Sequence, residues 1–399
     1  MSRQSAISQR AAACLPSVTL AITAAAQKLK AEGKDVLSFA AGEPDFKTPA
    51  HICEAAIKAI HDGLHGYTPN PGMPALKKAV ADKFKRENNL DYTPEQVLVS
   101  PGAKYSLYLA IMAMIDPGDE VIVPTPAWVS YPPMVELAGG VPVLMPTFEK
   151  NAFSFGAAEL RAVITPRTKA IILNSPSNPT GGIVPEKDLK AIAAVCEEKG
   201  LWVISDEIYE HLIYGADKHV SIASLSDYML KHTVVINGVS KAYAMTGWRI
   251  GYAAGPKDVI SAMANIQSQS TSNACSIAQA ASIAALNGSQ ECVETMRKAF
   301  EKRRDLIVKE LNAIPGVRCL SPQGAFYAFP NVSALLGKTY GGVKVTTDLE
   351  FCNELLSQKL VACVAGGPFG GEGHIRLSYA CSEDTIRKGV ERLRQFVTQ

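Results

Sequence analysis

Short, almost wholly apolar runs alternate with helical patterns through the middle of the chain. The runs are Gln96–Ser100, Glu120–Pro124, Val141–Met145, Ala170–Asn174, Leu201–Asp206, Thr233–Asn237 and Ile250–Ala254. Several are apolar throughout, which is typical of strands covered by helices on both faces. Helical patterns such as Pro185–Lys199 lie between them. The sequence therefore predicts an α/β fold with a mostly parallel seven-stranded sheet flanked by helices.

The pattern changes after about residue 288. A long charged helical pattern at Gln290–Leu311 leads to strand-like stretches at Ala325–Phe329, Val361–Val364 and His374–Tyr379. We therefore expect a large domain over residues 48–288 and a smaller α+β domain over residues 289–399. Residues 1–47 are expected to pack with the small domain, since the parallel-sheet pattern starts only near residue 96. Within them, the stretch from Ala11 to Lys30 predicts one continuous amphipathic helix that stops at Gly33.

Composition excludes several classes of protein. The 399 residues carry a net charge of +2, which gives little support to nucleic-acid binding. No apolar run reaches the length of a membrane helix, so we expect no membrane partner. Nine scattered cysteines form no CxxC pair and no zinc-ligand spacing, which predicts free thiols, no metal and a cytoplasmic location. A short organellar presequence is an open alternative, because no acidic residue precedes Glu32.

Polar residues suited to ligand binding follow four of the predicted strands. In open α/β sheets, ligands bind beyond the carboxyl ends of the strands. Pro101-Gly102-Ala103-Lys104 opens a helical pattern, and a helix start of small residues offers free N–H groups to a phosphate. The loop Ser177-Asn178-Pro179-Thr180-Gly181 holds an amide near a strand end, and Asp206 closes another apolar strand. A buried carboxylate needs a cationic or hydrogen-bonding partner, so Asp206 is expected to be paired.

The fourth strand is followed by a lysine. Lys241 comes after Asn237-Gly238-Val239-Ser240, in small and apolar surroundings. Such surroundings disfavour the ammonium form, so they favour the neutral amine that attacks a carbonyl carbon.

These four stretches, in this order, resemble class I aminotransferases of the fold-type I group that depend on pyridoxal 5'-phosphate (PLP). Ser240-Lys241 followed by Arg249-Ile250-Gly251 is similar to the cofactor-attachment motif of that family. Ser177-Asn178-Pro179-Thr180-Gly181 and Ser205-Asp206-Glu207-Ile208-Tyr209 are similar to two further motifs. The resemblance runs from about Leu15 to the C-terminus and is greatest to the bacterial and plastid aspartate and prephenate aminotransferases.

The resemblance implies how PLP would bind. Lys241 would attach it covalently and act as the catalytic acid and base, and Asp206 would pair with the pyridine nitrogen. Asn178 and Tyr209 would bind the ring hydroxyl oxygen, and Trp128 would stack on the ring. The remaining implied cofactor contacts, to the phosphate group, are Gly102, Ala103, Lys104, Ser240, Arg249 and, from the neighbouring subunit of a homodimer, Tyr67. Ser240 departs from several close relatives, which have alanine there; this would adjust cofactor affinity without changing the type of reaction.

The resemblance also implies which substrates bind. Arg376 would hold the α-carboxylate of an amino acid, with Gly42 in backbone contact nearby, and Trp128 and Asn178 would border the same substrate. Lys104 and Thr19 would recognise a second, distal carboxylate, which favours an acidic amino acid. The implied reaction is ping-pong transfer of the amino group between L-aspartate and 2-oxoglutarate. The same Lys and Thr pair accompanies prephenate use in the family, so prephenate or dual specificity is the open alternative.

Other classes of function fit the sequence less well. A lyase of related fold would need a β-substituent on its substrate, and Lys104 argues against one. A PLP-binding transcription regulator would need a helix-turn-helix module, for which residues 1–14 are too short. A catalytically inactive relative has no support, because every implied cofactor residue is present.

Overall fold

The N-terminal part of the chain forms two helices and a short strand. The structure, a computed structural model, describes residues 6–14, 16 and 18–398, and the side chains of residues 13 and 18–20 lie outside this description. Helices α1 (Gln9–Ala13) and α2 (Val18–Ala31) precede strand β1 (Leu37–Ser38). The prediction of one continuous helix is therefore wrong. Pro16 lies between the two helices, and proline lacks the N–H group that a helix interior requires.

A seven-stranded sheet forms the centre of the molecule. Its strands are β2 (Val97–Ser100), β3 (Glu120–Thr125), β4 (Val141–Pro146), β5 (Thr168–Asn174), β6 (Trp202–Asp206), β7 (Thr233–Gly238) and β8 (Gly251–Ala254). They lie in the order β2-β8-β7-β6-β5-β3-β4. β8 alone runs opposite to the other six strands. The predicted mostly parallel seven-stranded sheet is confirmed.

Helices cover both faces of this sheet, which explains why its strands are apolar throughout. They are α3 (Ala50–His61), α4 (Pro74–Asn88), α5 (Ala103–Met114), α6 (Tyr131–Leu137), α7 (Ala157–Val163), α8 (Glu186–Lys199), α9 (Asp227–Lys231), α10 (Lys257–Ser268) and α11 (Ser276–Asn287). Successive residues of a strand point to opposite faces. Val97 and Val99 pack in the core beside α4, whereas Leu98 packs in the core beside α5.

The C-terminal part of the chain builds a second core. It contains α12 (Glu291–Asn312), β9 (Tyr327–Ala328), β10 (Lys338–Tyr340), β11 (Val343–Val345), α13 (Asp348–Lys359), β12 (Val361–Ala362), β13 (Val364–Ala365), β14 (Ile375–Ser378) and α14 (Glu383–Val397). Strand β14 pairs with β13 and β9, and β1 pairs in parallel with β12. Phe39, next to β1, packs in this core with Phe300 and Phe396.

The sheet brings several chain segments to one edge. Because β2, β5, β6 and β7 are parallel, their carboxyl ends meet there, and antiparallel β8 starts there. Residues that follow the four strands, and those that precede β8, are therefore neighbours.

Among the described residues, we find no helix with the length and apolar character needed to cross a membrane.

Candidate active site

A cavity of about 470 Å³ opens at this edge of the sheet, between the strand ends and the C-terminal core. Most of the site residues predicted from the sequence line this cavity. These are Gly42, Ala103, Lys104, Trp128, Asn178, Asp206, Tyr209, Ser240, Lys241, Arg249 and Arg376.

Two of the predicted site residues, Gly102 and Tyr67, do not line the cavity, and the side chain of a third, Thr19, is not described. Gly102 lies immediately beside it, as the residue that precedes α5. The Tyr67 side chain is 96% exposed and does not line the cavity. The Thr19 side chain lies outside the described residues, although Thr23, one turn further along α2, lines the cavity.

Lys241 extends into the cavity from the loop that follows β7. Its Nζ donates to the Gly42 carbonyl oxygen at 2.5 Å and lies 5.8 Å from the centroid of the Tyr209 ring. Burial lowers the pKa of Lys241 to about 8; the Glu43 carboxylate opposes this shift, and the charges of Arg249 and Arg376 reinforce it. A lysine with this pKa reaches its neutral, nucleophilic form near neutral pH.

Asp206 faces the cavity from the end of β6, where its side chain is almost fully buried. Its Oδ2 accepts a hydrogen bond from the Tyr131 hydroxyl at 2.7 Å, and Oδ1 accepts one from the Ile208 N–H at 3.3 Å. Burial raises the pKa of Asp206 to about 6, although the hydrogen bond from Tyr131 acts to lower it. The expected partner is therefore present, but it is a neutral hydroxyl. Such a carboxylate gains by pairing with a protonated ring nitrogen.

Arg376 and Asn178 form a polar pair on another wall. Arg376 Nη1 donates to Asn178 Oδ1 and Nη2 donates to the Ala40 carbonyl oxygen, both at 2.9 Å. Arg376 Nε is buried and has no hydrogen-bond partner among the described residues. The guanidinium carbon lies 4.6 Å from the centroid of the Tyr327 ring, and burial lowers the pKa of Arg376. A buried, incompletely paired guanidinium is suited to bind a carboxylate.

The start of α5 forms a cradle with Arg249. Gly102 has φ +92°, a left-handed conformation that glycine adopts readily, and any side chain there would collide with the Arg249 guanidinium. A side chain at Gly251 would likewise collide with the Ala103 backbone. Arg249 Nη1 donates to the Thr246 carbonyl oxygen at 2.7 Å. The absence of side chains thus lets the backbone N–H groups of the α5 start and the guanidinium face the same space, as an anion requires.

Lys104 brings a further cation to the cavity. Its Nζ lies 4.9 Å from the centroid of the Trp128 ring. Burial lowers the pKa of Lys104, and the nearby positive charge of Arg249 lowers it further. The cavity therefore holds cations on separate chain segments, with Arg376 on β14 and Lys104 on α5.

Tyr131 and Tyr327 also line the cavity, and the sequence did not single them out. The Tyr131 hydroxyl holds Asp206, and the Tyr327 hydroxyl lies 2.8 Å from the Tyr209 hydroxyl. Burial, with the Tyr327 contact, raises the pKa of Tyr209 well above its usual value. Tyr131 lies three residues after Trp128, at the start of a helix, so its closeness to a predicted site residue was the available signal.

Comparisons with known proteins show the family of the chain. The sequence profile of the family described as aminotransferase class I and II matches residues 34–393. The chain is 54% identical over 391 residues to an aspartate aminotransferase of Geobacillus stearothermophilus, with 98% of each chain covered. It is 49% identical over 383 residues to an aspartate/prephenate aminotransferase of Cereibacter sphaeroides, with 96% of each covered.

A solved structure has the same fold. The aspartate aminotransferase of Thermus thermophilus, determined with maleate, matches with a TM-score of 0.93 and 44% identity, covering 98% of this chain and 100% of its own. The chain therefore belongs to the class I and II aminotransferase family and is an enzyme.

Proposed function

We propose that this enzyme is a PLP-dependent aspartate aminotransferase, which transfers the amino group between L-aspartate and 2-oxoglutarate in two half-reactions. The observation that carries the proposal is one cavity lined by Lys241, Asp206 and two further cations, Arg376 and Lys104. An amino acid with two carboxylates needs two such cations, because a carboxylate that loses its hydration requires a replacement partner.

The residues of the cavity fit PLP on chemical grounds. Its pyridine nitrogen matches Asp206, whose raised pKa marks a carboxylate short of a cation. Its aldehyde matches the lowered pKa of Lys241. Its phosphate matches the cradle of Gly102, Ala103 and Arg249, with Ser240 and the partner's Tyr67 as further donors. Trp128 supplies a flat apolar partner for the ring, and Asn178 and Tyr209 reach the ring hydroxyl oxygen.

The reaction follows from these positions. When bound, PLP supplies a ring that accepts the electron pair left as the substrate Cα–H bond breaks. Lys241 holds the proton removed from Cα and delivers it to the C4′ atom of the cofactor. Arg376, with the Gly42 backbone beside it, orients the substrate α-carboxylate. Lys104 and Thr19 bind the distal carboxylate.

The active enzyme is proposed to be a homodimer with shared active sites. Tyr67 is 96% exposed, and Ile57 (53%) and Ile60 (47%) on α3 are also exposed. Apolar side chains grouped on one helix and the loop after it are typical of a surface that another subunit covers. Tyr67 would then complete the phosphate site of the neighbouring subunit.

The remaining parts of the proposal concern organisation and location. We place the domain boundaries at residues 47/48 and 288/289; the packing of Phe39 against Phe300 supports joining the N-terminal segment to the small domain. We propose a cytoplasmic location, which nine free cysteines support, because thiols stay reduced there.

Prephenate is a second candidate acceptor. It too presents a second carboxylate, and the relative from Cereibacter sphaeroides is named an aspartate/prephenate aminotransferase. The two specificities share the same Lys104 chemistry, so they differ in how the cavity accommodates the body of the substrate.

The visible absorption spectrum of the purified protein tests the proposal. Addition of L-aspartate without a keto acid should bleach the band of lysine-bound PLP. Oxaloacetate and prephenate, added separately to the bleached form, should then restore the band at rates that rank the two acceptors. A protein that takes up no PLP, or one whose band ignores aspartate, would refute the proposal.

A further inference from the structure

A second group of charged side chains lies behind the cavity, out of contact with it. We name Lys83, Asn88, Glu210 and Asn237 the buried charge cluster; each is at most 8% exposed. Glu210 is its centre. It forms an ion pair with Lys83 and accepts from Asn88 Nδ2 and from Asn237 Nδ2, both at 2.6 Å. None of the four lines the cavity.

The cluster ties together chain segments that carry the catalytic groups. Glu210 follows Tyr209 directly and lies four residues after Asp206. Asn237 lies in β7, four residues before Lys241, and its Oδ1 accepts from the Gly238 N–H at 2.8 Å. Lys83 and Asn88 belong to the last turns of α4. One carboxylate thus joins the turn after β6, the end of β7 and a helix of the large core.

The chemistry of the cluster requires a carboxylate at its centre. All three partners of Glu210 present N–H groups, so each contact needs an acceptor. A glutamine at position 210 would direct its own NH2 group at one of these donors. Burial raises the pKa of Glu210, but the positive charges of Lys83, His211 and His219, with the hydrogen bond from Asn88, together lower it below its usual value. The group is therefore ionised and acts as an acceptor at every physiological pH.

We propose that Glu210 and Asn237 are positioning residues that fix the distance between Lys241 and Asp206. The inference rests on the proposed PLP chemistry, in which the amine of Lys241 and the carboxylate of Asp206 must meet one small ring at opposite ends. A displacement of about 1 Å in such a site can lower the rate about 100-fold. Backbone pairing already joins the ends of β6 and β7, and the Asn237–Glu210 hydrogen bond adds a side-chain link between the segments that carry these groups.

The same turn offers a matched control. Glu207 also points away from the cavity, and it accepts from Ser205 Oγ at 2.8 Å and Ser221 Oγ at 2.7 Å. His219 Nε2 lies 2.8 Å from the other oxygen of Glu207. These partners hold the turn to β6 and to the loop before Ser221, and none of them lies on β7. Ser221→Ala and Asn237→Ala therefore each remove one hydrogen bond to a buried carboxylate of this turn, but only the second loosens a side-chain contact of β7, together with the acceptor of the Gly238 N–H.

The two variants are compared as PLP-loaded enzymes by steady-state kinetics and by the pH dependence of the visible absorption of the bound cofactor. For Asn237→Ala we expect kcat to fall about tenfold or more while KM for aspartate stays within about twofold. The midpoint of the absorption change should also shift by about half a pH unit or more, since the charges around Lys241 move. Ser221→Ala should keep both properties close to those of the wild type.

Hydrogen exchange in the cofactor-free proteins provides a readout that does not depend on PLP. Asn237→Ala should speed exchange across residues 237–241, whereas Ser221→Ala should speed it only across residues 205–210 and 219–222. The proposal would be overturned if Asn237→Ala kept the wild-type kcat and the wild-type pH midpoint of the absorption change. It would also be overturned if both variants changed these properties equally. Asn237→Ser, which cannot reach Glu210, replaces the alanine variant if that one does not fold. A wild-type protein that binds no PLP would refute the proposed function, and the exchange data would still decide whether Asn237 restrains β7.

Discussion

The turn after β6 lies between two regions in which buried charged groups have different partners. Towards the cavity, Asp206 meets a neutral hydroxyl and Lys241 meets a carbonyl oxygen. Behind it, Glu210 of the buried charge cluster meets a lysine and two amides. The pKa shifts follow this difference, because the pKa of Asp206 rises to about 6 whereas that of Glu210 falls. The comparison teaches that a fold tolerates buried charges where the protein pairs them fully, and that incompletely paired ones stay available for a ligand.

Lys241→Ala should produce the largest effect, on the cavity side alone. The variant loses the group proposed to attach PLP and to move the proton, so aspartate turnover should fall by about 1,000-fold or more. Circular dichroism should still show the wild-type fold, since Lys241 makes no ion pair among the described residues. Turnover at the wild-type rate would contradict the assignment.

Lys83→Met, unlike Lys241→Ala, should act mainly by lowering the stability of the fold. Removing one partner of a buried ion pair leaves the other charge uncompensated, which costs about 3–5 kcal/mol. Urea titration would measure the change in the free energy of unfolding. The double variant Lys83→Met/Glu210→Gln should regain part of the loss, because the buried charge is removed while the glutamine NH2 still faces one of the two amide donors. A single variant as stable as the wild type would show that the pair contributes nothing.

Asp206→Asn should change the pH dependence of stability in the cofactor-free protein. Because its folded-state pKa is raised from 3.8 to about 6, the wild-type carboxyl stabilises the fold below about pH 4 and loses this contribution as the pH rises through 6. Urea or thermal unfolding measures the free energy of unfolding at each pH. Between pH 4 and 7 this free energy should decline by about 2 kcal/mol less in the variant than in the wild type.

The control for Asp206→Asn is Asp119→Asn. A hydrogen bond from Lys169 lowers the pKa of Asp119, so this substitution should alter the pH slope in the opposite direction. If the free energy of unfolding depends on pH equally in the wild type and in Asp206→Asn, burial does not raise the pKa of Asp206.

Lys104→Ala should have the smallest effect, confined to one class of substrate. Since Lys104 is only partly buried, we expect about a tenfold loss in kcat/KM for aspartate and glutamate, with little change for alanine. Arg376→Lys is the matched control and should impair all three amino acids alike. Equal losses for the three substrates in Lys104→Ala would remove the argument for a distal carboxylate.

The sequence predicted the strands of the central sheet and the polar residues at their ends, because these depend on local patterns, but it missed the short strands β1, β10 and β11. Lys241, Asp206 and Asn178 all follow short apolar runs that become strands. Long-range pairs could not be predicted in this way. Lys83 and Glu210 are 127 residues apart, and Tyr131 and Asp206 are 75 apart. Whether a lysine is exposed or buried against such a partner is decided by tertiary packing, which one sequence does not display.

The pairing of β1 with β12 has a consequence for synthesis. Leu37 in β1 pairs with Val361 in β12, so β1 cannot pair until nearly the whole chain has been synthesised. At about 5–20 residues per second, that interval is roughly 15–60 s. The central sheet is complete by Ala254 and can collapse meanwhile around its own helices. The pairing of β1, and the docking of α2 with Thr23 at the cavity, therefore come after the segment that carries Lys241 has been made.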